Sequence, residues 1–233
     1  MPDAVVLDLF GTVVAAPTSE DRSRAAARLG VAAGCDGMQV ERYLRTTWRV
    51  RHDGSLPTLR QLAEHFLDGV GGSAARIPPV VDQLRRLGEE RLGVDPSVIV
   101  ALAALRDGGL RLGVLSDASA DIAAAWRLGP LSLLVDAAVF SCSAGALKPD
   151  RGLYDRIRRQ LGTSSGATLY VGDGGGDELR GALAAGMRAL AVVRRGPADA
   201  LVFGEVQWSG STIERLEDLP AYLSRPPASD RSR

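Results

Sequence analysis

Lysine is almost missing from this chain: of 28 basic residues, Lys148 alone is lysine and the rest are arginine. A sequence that otherwise avoids lysine and keeps one of them invites a chemical reason for that one. Cysteine is scarce too. Cys35 and Cys142 stand far apart and form no CxxC pair, so neither a disulfide framework nor a zinc site is indicated. Charge of either sign is not in excess, since 28 acidic residues balance the 28 basic ones. Partners held by bulk charge, such as nucleic acid or an anionic membrane surface, are therefore not expected. No apolar run approaches the roughly 20 residues a membrane span requires. The N-terminus also lacks the basic-then-apolar pattern of a secretion signal. Together these absences predict a soluble, cytoplasmic protein.

What is present is enough for a core. With 233 residues and 45 % apolar content, the chain can form one large domain or a core with a modest insert. From about residue 95 two periods alternate. Residues 97–107, 119–128, 150–161 and 177–185 read as helices; 111–116, 133–140, 168–172 and 187–193 read as strands. That alternation predicts βαβ units and a parallel sheet covered on both faces. The opening stretch 4–9 belongs with these strands, because its hydrophobicity is continuous rather than alternating. Residues 17–92 differ: they carry no convincing strand, and AAARLG, QVERYLRTTWRVR, LRQLAEHFL and VVDQLRRLGEERL all read helically. The expected organisation is an α/β core from 1–16 and 93–225, a helical insert over 17–92, and a polar, proline-bearing disordered tail at 226–233. There are no internal repeats.

In open parallel sheets, ligands gather at the carboxyl ends of the strands. Strand 4–9 ends in Asp8-Leu9-Phe10-Gly11-Thr12, and strand 111–116 in Ser116-Asp117. Strand 133–140 leads to Lys148, and strand 168–172 runs into Asp173-Gly174-Gly175-Gly176-Asp177. Each piece has an ordinary reading: Asp8 as a turn residue, Ser116 as a helix start, Asp177 and Glu178 as partners of a helix dipole. Their convergence on one rim is what suggests chemistry. Carboxylates suit a hard cation; a hydroxyl, an ammonium and backbone amides suit a phosphoryl anion.

In this order the segments resemble the four motifs of the haloacid dehalogenase-like hydrolase superfamily, and the likeness covers nearly all of residues 3–195. The motifs are DLFGT at Asp8–Thr12, VLS at Ser116, Lys148 in LKPD, and GDGGGD at Gly172–Asp177. The long interval between Asp8 and Ser116 matches a helical cap inserted after the first motif. The resemblance implies a doubly wound α/β fold with that cap, and it implies roles. Asp8 would be the nucleophile, forming an aspartyl intermediate that water opens. Ser116 and Lys148 would act in catalysis by holding the transferring group, with Thr12 and Asp117 beside them. Asp8, the Phe10 backbone carbonyl, Asp173 and Asp177 would hold Mg²⁺. Thr12 would anchor the motif-one loop by hydrogen bonding.

Phe10 departs from the family's phosphatases, which usually place a second Asp there to protonate the leaving oxygen and then activate water. Such assistance is typically worth 10²–10⁴-fold, or about 3–5 kcal/mol of barrier. The family's dehalogenases carry an aromatic residue at this position and need no metal, but commonly lack the paired acids of the fourth motif. Two such acids without a cation would repel. Relatives that use a cap lysine to form a Schiff base are excluded, since Lys148 is the one lysine. Arg45, Arg49, Arg51 and His52 of the insert could assist, although a solvated helix face is the simpler reading of each. The expectation is therefore a Mg²⁺-dependent hydrolase of a small phosphorylated metabolite. The alternatives are a 2-haloacid dehalogenase-type hydrolase and a ligand-binding relative with little turnover.

Overall fold

A computed structural model describes residues 1–193 and 208–225. Six parallel strands form one sheet in the order β3-β2-β1-β4-β5-β6. They are β1 (Ala4–Leu7), β2 (Arg111–Ser116), β3 (Ala137–Phe140), β4 (Thr168–Gly172), β5 (Arg188–Val192) and β6 (Thr212–Ile213). All four residues of β1 are buried, as a central strand with both faces covered requires. Its side chains alternate between two cores. Val5 and Leu7 join the cluster containing Leu112, Leu169 and Val171, while Ala4 and Val6 join the one containing Leu115 and Tyr170. The α/β doubly wound fold expected from the sequence is the one observed.

The helices of the sheet layers are α6 (Pro96–Asp107), α7 (Ala120–Trp126), α8 (Ser141–Ala144), α9 (Arg151–Leu161), α10 (Glu178–Ala184) and α11 (Leu219–Ser224). Local signals set several of their ends. Asp95 caps α6 ahead of Pro96, and α9 starts under the Asp150 carboxylate and stops at left-handed Gly162. Two expected boundaries move. The third strand begins at Ala137 rather than 133, because Pro130–Leu133 closes a 3₁₀ turn that leaves Leu133 exposed. The first strand ends at Leu7, because the amides of Val13 and Val14 fold back onto the Leu9 carbonyl, both at 2.9 Å.

Between β1 and α6 lie five helices: α1 (Ser19–Ala33), α2 (Gly37–Thr46), α3 (Trp48–His52), α4 (Leu59–Val70) and α5 (Ile77–Arg91). They share an apolar cluster that includes Ala26, Leu29, Val40, Leu62, Phe66 and Leu84, touching the sheet layers through Ala120 of α7. The sequence reads 39–51 as one helix, but it breaks at Thr47. The Thr47 hydroxyl donates to the Tyr43 carbonyl at 2.6 Å, competing for an acceptor that the helix needs. Among the described residues no helix is long and apolar enough to cross a membrane. The tail at 226–233 lies outside the described residues.

Candidate active site

Strand register brings the acids together. Leu7 pairs with Val114 of β2 and Val171 of β4, so Asp8 emerges level with the carboxyl ends of both neighbours. Its amide donates to the Val171 carbonyl at 2.9 Å, which fixes the backbone from which the carboxylate projects. Ser116 ends β2, and Asp173 follows β4 directly. β1 sits where the strand order reverses, the position at which open α/β sheets form a ligand crevice.

Lys148 joins the set from the loop after α8. Its Nζ donates to Asp8 Oδ1 at 2.6 Å and also to Glu178 Oε2, with all three side chains nearly excluded from solvent. The Tyr170 hydroxyl donates to the same Glu178 oxygen at 2.7 Å, and the Gly174 amide donates to Oε1 at 3.0 Å. Behind it, the Tyr154 hydroxyl donates to the Glu178 backbone carbonyl at 2.9 Å. Two glycines make room for these carboxylates. A Cβ on Gly11 (φ +84°) would lie 2.2 Å from Asp173 Oδ2, and one on Gly172 would lie 2.0 Å from Glu178 Oε1.

Asp8, Asp173 and Glu178 each offer a carboxylate oxygen within 4.8 Å of the others. One ammonium serves the group, donating to two of its three carboxylates, so the cluster holds more negative than positive charge. Burial, then the Asp8 charge, pushes the Glu178 carboxyl up to about 8. Burial and Asp8 raise Asp173 in the same way. Burial alone would lower Lys148, but the Asp8, Glu178 and Asp117 charges more than offset it and hold its ammonium well above the usual lysine range. Hard oxygen donors crowded with unbalanced charge are what a small divalent cation is suited to fill.

Asp177, the acid the motif spacing selects, lies outside this cluster. It is exposed, sits in the left-handed region at φ +59°, and faces Arg180 at 3.6 Å. Of the acids expected to hold a metal, the structure brings Asp173 together with Asp8 and leaves Asp177 apart, and Glu178 joins the group. Gly176 and Asp177 both turn left-handed before α10, and that reversal swings the next residue inward. Adjacent acids give no sequence signal for which one turns in; the glycine run permitting the reversal is the nearest hint.

Thr12 is buried, yet its Oγ1 has no hydrogen-bond partner. The expected side-chain anchor is not made; the loop is closed by backbone instead, Gly11 donating to the Val14 carbonyl at 2.8 Å. Asp117 Oδ1 accepts the Lys148 backbone amide at 3.0 Å, so it positions the lysine loop. The Phe10 ring packs on the core and lies under the Arg91 guanidinium, 4.8 Å from ring centre to carbon. Arg45 and Arg49 are exposed, in keeping with the simpler reading. His52 is buried against Trp48, and burial followed by the Arg51 charge lowers its imidazole to about 4. It is therefore neutral at physiological pH.

Comparison with known proteins places this arrangement. The family model described as haloacid dehalogenase-like hydrolase matches residues 2–186. The protein called Phosphatase MT3486 of Mycobacterium tuberculosis is 39 % identical over 121 residues, which is 51 % of this chain and 55 % of that protein. The chain thus aligns with little more than half of that relative. Among solved structures, the HAD phosphatase from Thermococcus onnurineus superposes with a TM-score of 0.68 at 21 % identity, covering 95 % of this chain and 98 % of the other. The 2-haloacid dehalogenase from Pseudomonas syringae pv. Tomato DC3000 gives 0.67 at 23 %, covering 96 % and 98 %. The two neighbours share the fold and differ in the bond their names imply, while the family model spans both the Asp8 and the Glu178 segments: the chain belongs to the haloacid dehalogenase-like hydrolases.

Proposed function

We propose that the protein hydrolyses a small phosphorylated metabolite through Asp8 with a divalent cation, Mg²⁺, at the carboxylate cluster. The observation that carries this reading is the crowding of Asp8, Asp173 and Glu178 around one ammonium. A dehalogenase forms its ester on the nucleophile without a cation and has no use for two further acids. Asp8, Asp173, Glu178 and the Phe10 carbonyl would hold the ion. When bound, it would neutralise the phosphoryl oxygens and the attacking carboxylate.

Asp8 attacks phosphorus, the P–O bond to the leaving group breaks, and water then opens the aspartyl phosphate. Lys148 orients Asp8 by binding Oδ1, which leaves Oδ2 as the attacking atom. Ser116, buried at the end of β2, is assigned to the phosphoryl oxygens. Residues 17–92 would act as the cap that shapes the substrate pocket. Phe10 moves no proton, so good leaving groups such as acyl phosphates and anhydrides are favoured over alkyl phosphates. The similarity to Phosphatase MT3486 supports the phosphoryl reading. The aromatic ring at position 10 favours the second reading, carbon–halogen hydrolysis.

The deciding experiment follows phosphate release from acyl, anhydride and alkyl phosphates with and without Mg²⁺, beside halide release from 2-haloacids. Magnesium-independent halide release would overturn the proposal. Three further results are expected. Glu178→Gln should weaken Mg²⁺ binding about tenfold or more, while Asp177→Asn leaves it within about twofold, measured by calorimetric titration. Because cation binding displaces the proton held by Glu178, affinity in the unmodified protein should rise as pH approaches about 8. Equal losses in the two variants would remove Glu178 from the cation site. Phe10→Asp should raise alkyl-phosphate turnover by about 10²-fold while changing acyl-phosphate turnover little. An unchanged ratio would show that the absent proton shuttle is not what limits the enzyme.

A further inference from the structure

A second set of charges lies where the α1–α5 helices meet the sheet layers. A cavity of about 70 Å³ there is walled by apolar side chains, Leu29, Phe66 and Leu84 among them. Arg51, Arg91, Ser119 and Asp121 also line it. Two guanidiniums and one carboxylate thus line it, and the Asp21 carboxylate also acts on Arg91. Arg51 is already bonded, through Nε to the Thr47 hydroxyl at 3.2 Å and through Nη2 to the Leu44 carbonyl at 2.8 Å. Asp121 accepts from the Ser119 hydroxyl. Arg91 differs, because its Nε is fully buried and has no hydrogen-bond partner. A buried donor left unpaired is costly, and a guanidinium among apolar walls more so. Its planar fork suits a planar oxyanion bound by two parallel hydrogen bonds. The same guanidinium lies over the Phe10 ring, two residues from Asp8, which links this cavity to the reacting end.

We propose that Arg91, backed by Arg51, is an anion subsite that receives a second negatively charged group of the substrate, a carboxylate, while the phosphoryl group sits at Asp8. This rests on the phosphoryl reading of the Asp8 site and narrows its substrate class to small phosphorylated acids. Phe10 then has a role of its own: the ring supports the guanidinium from below through a cation–π contact.

The test has a binding arm and a kinetic arm. Malonate, inorganic phosphate and glycerol are titrated into the Asp8→Asn protein by calorimetry, with and without Arg91→Gln or Arg91→Lys. Malonate should bind saturably, weaken at least tenfold in Arg91→Gln, and recover in part in Arg91→Lys. Glycerol should not bind. In the kinetic arm, 3-phosphonooxypropanoate is compared with propyl phosphate, which differs only in its uncharged tail. Arg91→Gln should raise KM for the first by about tenfold or more and leave propyl phosphate within twofold, with kcat little changed for both. Equal effects on the two esters, or malonate binding indifferent to Arg91, would overturn the subsite. Tighter Arg91-dependent binding of phosphate than of malonate would overturn its assignment to carboxylate. Absence of phosphate release from acyl phosphates and anhydrides as well as from both esters, with Arg91-dependent malonate binding intact, would reject the phosphatase reading and leave the subsite standing.

Discussion

Asp8→Asn should stop turnover, lowering kcat by about 10⁴-fold or more while the protein stays folded. The amide has nearly the same shape as the carboxylate, so the backbone bond to Val171 and the packing of β1 are kept. It cannot form the acyl phosphate, and its oxygen attracts the Lys148 ammonium far less than the carboxylate 2.6 Å away does now. The check pairs a single-turnover assay with circular dichroism and substrate binding. A folded variant that binds substrate and releases no product is the expected result. Activity within tenfold of the unmodified protein would mean that another group attacks, and the role of Asp8 would have to be withdrawn.

Lys148→Met is expected to have the largest effect on stability. Methionine fills similar space but leaves Asp8 and Glu178 facing each other in a site where their side chains are 7 % and 1 % exposed. Removing one partner of a buried ion pair typically costs about 3–5 kcal/mol. In a chain of this size that corresponds to a fall in Tm of roughly 6–20 °C. The sign of the pH effect follows from Glu178. Its carboxyl is held up to about 8 in the folded protein, so the folded state keeps a proton that the unfolded chain has already released. Metal-free stability therefore declines as pH rises from the ordinary carboxylate range towards about 8. Without the lysine the decline should extend to higher pH, since the Lys148 charge is what lowers Glu178. Mg²⁺ should raise the Tm of the variant more than that of the unmodified protein, since a cation replaces part of the lost charge. A Tm within about 2 °C of the unmodified protein would show that Lys148 is not the counter-ion that this geometry makes it. The scarcity of lysine elsewhere makes the substitution clean, because no other ammonium is present to move in.

Much of the architecture was legible because it rests on local periodicity. Continuous apolar runs at 4–7, 111–116 and 168–172 can be buried only as central parallel strands, and helices of about ten residues between them force the crossovers. Asp8, Ser116 and Asp173 were readable for the same reason: each stands at or just after a strand end, and strand ends in such a sheet share one rim; Lys148, beyond α8, was readable from its place in the motif order. Elements as short as β6, two residues long, carry no periodic signal. The break at Thr47 depends on a hydroxyl finding a carbonyl within an apparently continuous helix, which composition does not announce.

The doubly wound fold, the family and three members of the buried charged cluster, Asp8, Lys148 and Asp173, are readable from residue order, because they follow from patterns repeated along the chain. Tertiary contacts set the rest: which of two adjacent acids completes the cluster, that Thr12 makes no anchor, and that Arg91 faces Phe10. These depend on backbone reversals at Gly176 and Asp177, on a turn closed by its own amides, and on the approach of segments some eighty residues apart. The left-handed turn at Gly176 and Asp177 leaves the Asp177 carboxylate in solvent and its neighbour's on Lys148 beside Asp8.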